Sequence, residues 1–179
     1  MHARLAETMD YVEDKRKELL QSFAGVSTDR LCRRASADGW SVAEIVDHLS
    51  LVEAGIARLI AKRASRAKEG GIGEEKSTES VLPSFEPYRV KLDTMKMESP
   101  TTVRPRGNVD LNEALKGLES SREALRVAVL EANGLPLGEI KHTHPLLGEL
   151  DLYQWLIFLG QHEGRHRKQI ERTLNSIPE

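Results

Sequence analysis

Residues 151–172 run DLYQWLIFLGQHEGRHRKQIER, with apolar side chains at Leu152, Trp155, Leu156, Leu159 and Ile170. Steps of three and four put these on one face of an α-helix, because about 3.6 residues complete each turn. The same arc holds His162 and His166, near its middle. Positions i and i+4 lie one above the other, so both imidazoles can reach a single ion from one side. The pattern predicts a helix from about Asp151 that ends before Pro178.

The same rhythm occurs three more times upstream. From about residue 3 to 23 the stripe is Leu5, Met9, Val12, Leu19 and Phe23, interrupted by Arg16, whose long side chain is expected to snorkel to the edge. A polar turn, Ser27-Thr28-Asp29, follows. Trp40-Ser41 then leads into a second helix, with Ser41 and Glu44 in capping-box positions. Its stripe includes Val42, Ile45, Leu49, Val52, Ile56 and Ile60. A third helix is predicted from Asp110, an N-cap, to Ala132, with Leu111, Leu115, Leu118, Leu125 and Val129 inward and Asn133-Gly134 as its stop.

Between the second and third helices, residues 65–80 are polar and glycine-rich, and a mobile loop is expected. In residues 81–97 Phe85, Tyr88, Val90 and Leu92 are expected to pack on the bundle, while Pro83, Pro87, Pro100 and Pro105 argue against a long regular element. Almost no β pattern is visible. Four amphipathic helices bury their apolar faces best against one another. The expected fold is all-α: a four-helix bundle with a long crossover connection between helices two and three, one domain over residues 1–179.

Charge narrows the partners. With 26 basic and 28 acidic residues the net charge is -2, which favours neither nucleic acid nor an anionic membrane. No leader pattern opens the sequence and no apolar run approaches membrane length, so a cytoplasmic protein is expected. Cys32 is the only cysteine, which excludes a disulfide framework, and no base is built beside it to make a nucleophile.

His162-Glu163-Gly164-Arg165-His166 fits the H-E-x-x-H pattern of zinc proteases. A protease of that kind needs a further ligand downstream and an edge strand for its peptide. Only 13 residues follow His166, and the metzincin continuation is missing. The third ligand candidate is instead His48, at the flank of the second helix's stripe, with Gly55 beside it leaving room. Ligands in bundles come from facing helices across the core. As a set, His48, His162 and His166 point to a metal; three core histidines without one is the reading left open. His142 and His144 form H-x-H, but Pro145 and Gly148 make a rigid turn the simpler account. Glu163 and Glu53 fall within apolar arcs. Each is expected either to orient a ligand histidine or take a proton beside the metal, or to pair with Arg16, Arg122 or Arg165 at a helix edge, the second being favoured for Glu53.

The stretches WSVAEIVDHLSLVE and HPLLGELDLYQWLIFLGQHEGRHRKQIER resemble the DinB/YfiT-like metal-binding superfamily. Its members are four-helix bundles with a His early in helix two and H-x-x-x-H in the last helix. The matching positions are His48, His162 and His166, and Trp40-Ser41-x-x-Glu44 and His144-Pro145-x-x-Gly148 follow the family's style. The resemblance covers about residues 3–64 and 110–175 and leaves 65–109 without a counterpart. It implies a three-histidine site for a divalent metal, Zn²⁺ or Ni²⁺ before Fe²⁺. It further implies a small-molecule substrate, with a low-molecular-weight thiol as one class, and a thiol-dependent S-transferase or a hydrolase as the activity. Glu163 would be the catalytic carboxylate. The alternative is a non-catalytic metal-stabilised or sensing bundle that works as a homodimer.

Overall fold

The computed structural model describes residues 1–94 and 100–178. Four long helices form the bundle: α1 (Ala3–Gln21), α3 (Val42–Glu69), α5 (Leu111–Glu131) and α6 (Leu152–Ser176). Two short helices, α2 (Thr28–Cys32) and α4 (Glu86–Thr94), lie in the connections. The expected polar turn at Ser27 is thus the N-cap and first turn of α2, which buries Leu31. α3 packs mainly on α5, and α1 on α6.

The helix starts follow local chemistry. Ser41 and Glu44 make both bonds of a capping box, Asp110 accepts from the Glu113 amide, and Asp151 makes a second capping box with Gln154. α1 and α6 approach closely at Gly160, where an added Cβ would stand 2.5 Å from Tyr11 Cε1. The expected apolar stripes are the core. Leu5, Met9, Val12, Ile56, Ile60 and Leu125 belong to one buried cluster, and Leu19, Val42, Ile45, Leu49, Leu118 and Ile170 to another.

A charged layer lies between the clusters in sequence position on all four helices. Arg16, Glu53, Arg122 and Glu163 come one from each helix and are all buried. Arg16 does not snorkel out, because two carboxylates meet it inside: its Nη2 donates to Glu53 Oε2 at 2.8 Å and to Glu163 Oε1 at 2.7 Å. Arg122 donates to Glu53 Oε1 at 2.7 Å and Glu163 Oε1 at 2.9 Å. Burial opposes the charge on Arg16, but Glu163 and Glu53 outweigh it and raise its pKa.

The first part of the crossover is tied to the bundle by specific contacts. Residues 65–69 continue α3, and beyond Gly70 the chain is tied back: Glu75 N donates to Gly134 O at 2.8 Å, and Arg4 and Tyr153 both donate to Glu75 Oε2. Phe85 and Leu92 pack inward as expected and Tyr88 packs against them, but Val90 is 64% exposed because it falls on the outer face of α4. Residues 95–97 of that stretch lie outside the described residues.

The missing β signal is a finding too. Lys141–His144 (β1) pairs antiparallel with Gly148–Asp151 (β2), His144 opposite Gly148. Four-residue strands are too short to show a period, and the hairpin is set by its turn, where Gly148 has φ +86° and His144 Nδ1 accepts from Leu146 N and Leu147 N. The H-x-H pair is therefore strand rather than turn.

Candidate metal centre

His48 lies in the second turn of α3, and His162 and His166 lie one turn apart on α6. All three are buried, and one ring nitrogen of each lies within 4.8 Å of the others. His162 Nε2 stands 3.3 Å from His48 Nε2 and 3.1 Å from His166 Nε2. His48 is not the edge residue its helix position suggested. Val103 of the crossover bonds its ring, and Trp40 packs against it, tilted, with ring centres 5.0 Å apart.

Acceptors behind the triad set its tautomers. His48 Nδ1 is 2.7 Å from Val103 O, and His166 Nδ1 is 2.8 Å from Gln169 Oε1. Carbonyl oxygens only accept, so each Nδ1 carries the proton and each Nε2 presents a lone pair. His162 Nε2 can carry a proton toward only one of its two neighbours. At least one of the two short nitrogen–nitrogen approaches is therefore left without a hydrogen bond. Protonation does not relieve this, because burial pushes the pKa of all three down, that of His166 to about 3.

The segment that supplies Val103 is itself anchored. Arg106 Nη2 donates to Asp47 Oδ1 at 2.7 Å, and Asp47 is fully buried beside His48 in sequence. Neither Gln169 nor Val103 was identified from the sequence. A glutamine three residues past a ligand histidine is a readable signal, whereas a backbone carbonyl from the crossover leaves none.

Glu163, expected beside the metal, faces the charged layer instead. Its Oε1 accepts from Arg16 and Arg122, Oε2 is buried without a partner among the described residues, and no hydrogen bond joins it to a triad histidine. Side chains one residue apart on a helix diverge by about 100°, which aims Glu163 away from His162's side. Burial raises the Glu163 pKa against the pull of the two guanidiniums. Glu53 is likewise central, 1% exposed, rather than at a helix edge.

The sequence model of the DinB superfamily matches residues 11–170. The chain belongs to the DinB superfamily. Over 171 residues it is 26% identical to YuaE of Bacillus subtilis (strain 168), a protein described as uncharacterised, covering 94% of this chain and 98% of YuaE. The crystal structure of TT2238, described as a four-helix bundle protein, is similar with a TM-score of 0.61 and 21% identity, covering 93% of this chain and 96% of that one. That likeness is one of fold.

In this DinB chain the donor set fits a divalent ion. Three imidazole nitrogens at about 2.0–2.1 Å from a tetrahedral zinc lie roughly 3.3 Å apart, close to the two spacings His162 makes with His48 and His166. Three protein ligands leave a position open. His48 and His162 open on a cavity of about 380 Å³, with Val52, Ile56, Leu59, Trp155 and Phe158 as apolar wall and Pro100 and Val103 of the crossover at its side. His142 and His144 of the hairpin line it as well. The cavity is built by α3, α6, the crossover and the hairpin, with no lining residue from α1 or α5. A larger open groove of about 660 Å³ between α1 and α5 carries no imidazole, and its Arg16 and Arg122 are already bonded within the charged layer. No helix among the described residues is long and apolar enough to cross a membrane.

Proposed function

We propose that the protein is a metal-dependent enzyme acting on a small molecule, with His48, His162 and His166 holding one divalent ion, zinc or nickel before iron. The observation that carries this is the tautomer conflict: two imidazoles with Nδ1 bonded to carbonyl oxygens aim unprotonated Nε2 atoms at a third, 3.1 and 3.3 Å away. A buried cation takes up the Nε2 lone pairs of all three rings in a site walled by Trp40 and Phe158.

A bound divalent ion supplies Lewis acidity, lowering the pKa of a water or thiol presented to it. The chain's own residues do the rest. Val103 and Gln169 hold the rings in register, and the apolar wall offers a substrate's apolar part a surface to bind beside them. Glu163 acts as a positioning residue by tying α6 to the other helices. The reaction is transfer to a low-molecular-weight thiol or hydrolysis, and the open position beside the cavity favours this over a closed structural clip in a homodimer.

Elemental analysis of tag-free protein and of His48→Ala tests the reading. About one metal per chain in the wild type, lost in the variant while the helical circular dichroism stays, supports it. Failure of both to hold added zinc or nickel overturns it. A melting temperature that collapses on metal removal would favour the structural clip instead.

A further inference from the structure

We infer that the hairpin wall of the cavity is a carboxylate-binding subsite, so that the molecule taken at this site is a short apolar chain ending in a carboxylate. The inference deepens the proposed function and rests on it for the identity of the site, but its chemistry comes from other residues.

His142 Nδ1 is 2.6 Å from Arg63 Nη2. A guanidinium only donates, so this Nδ1 accepts and Nε2 keeps the proton. His144 Nδ1 accepts from two backbone amides, Leu146 N at 3.1 Å and Leu147 N at 3.2 Å, so its Nε2 is also an N–H. Both rings line the cavity beside Trp155, whose own N–H is committed to His142 O at 3.2 Å. Among the described residues, nothing accepts from either Nε2–H, although His144 is only 8% exposed. His144 is largely buried and His142 half-buried, and two N–H donors without a protein acceptor on one cavity wall suit a ligand with two acceptor oxygens.

Charge gives the same answer. Among the described residues, no acidic side chain lines the cavity. Arg63 makes no other hydrogen bond or ion pair among the described residues, and Lys62 and Lys91 act on His142 and His144 strongly enough to lower their pKa after burial has done so. The two rings therefore donate as neutral groups, with cations behind them. At the other end, three neutral imidazoles leave the charge of a divalent ion uncompensated. A carboxylate held at the hairpin end partly offsets that charge through space, and its apolar chain lies along the wall between.

The probe is hexanoate, compared with 1-hexanol, by tryptophan fluorescence and calorimetry on zinc-loaded and on metal-free protein. Hexanoate binds roughly tenfold or more tighter than hexanol in both states, as expected for donors that meet a charged acceptor. His142→Phe/His144→Phe removes that preference and leaves the metal content unchanged. In the wild type, ¹⁵N–¹H imidazole spectra show Nε2–H tautomers for both residues, and these signals shift on adding hexanoate. Equal binding of hexanol, an Nδ1–H tautomer at either position, or imidazole signals that do not move would overturn the subsite. A preference seen only with zinc and surviving the double substitution puts the carboxylate on the metal, which also overturns it while sparing the proposed function. A preference present in a protein that takes up no metal supports the subsite and sinks the metal reading.

Discussion

Gln169 and Val103 never touch the centre of the triad, yet they decide which nitrogen of each ring faces it. Their oxygens lie 2.8 and 2.7 Å from the Nδ1 atoms of His166 and His48. Partners of this kind typically contribute about 10–100-fold in metal affinity. Gln169→Leu is accordingly expected to weaken zinc binding by roughly that factor while leaving the urea midpoint of the metal-free protein nearly unchanged, since Gln169 is only half-buried. Competition with a chromophoric chelator measures it. Unchanged affinity would mean that the ring orientation is held by packing against Trp40 and Phe158 alone.

At the scale of elements, the four-residue charged layer registers the helices. Each of α1, α3, α5 and α6 contributes one member, and sliding any helix by one turn would strand a charge among apolar neighbours. The expected destabilisation for Arg122→Met is about 3–5 kcal/mol, because Glu53 and Glu163 are left under-compensated in the core. Replacing Arg16, Glu53, Arg122 and Glu163 together by Met is expected to recover most of that loss, since no charge then remains to be solvated. Urea unfolding of the single and quadruple variants decides it; a single variant within about 1 kcal/mol of wild type would show that water reaches the layer. Because Glu163 adjoins His162, the same layer also fixes the height of the metal ligands on α6.

For the whole molecule, the buried histidines set the response to acid. Burial depresses the pKa of His48, His162, His166 and His144, the last to about 4. Between the ordinary value of 6.5 and those lowered values the unfolded chain binds more protons than the folded one, so stability is full above that window and falls as pH drops through it. Each histidine held neutral contributes about 1.4 kcal/mol per pH unit. Glu163, raised by burial from 4.5, works in the opposite sense, but it is one group against several. The urea midpoint of metal-free protein should fall steadily from pH 7 to pH 5, and His144→Phe should flatten the slope. A midpoint independent of pH over that range would show that these rings are not held neutral.

Periodicity was enough to determine the helical bundle and its long crossover, and local sequence the caps at Ser41 and Asp110, because local hydrogen bonding and one-sided burial are written in neighbouring residues; His48, His162 and His166, picked out by spacing and by resemblance, come together in the fold. What depended on residues far apart in sequence was decided only by the tertiary structure. Arg16 reads as an edge residue until Glu53 and Glu163 arrive from other helices, and Glu163 reads as a metal-side carboxylate until Arg16 and Arg122 claim it. The hairpin that carries His142 and His144 to the cavity, and the carbonyl of Val103 that orients His48, have no local pattern at all. A side chain's burial is predicted by its own helix, but its partners are contributed by the others.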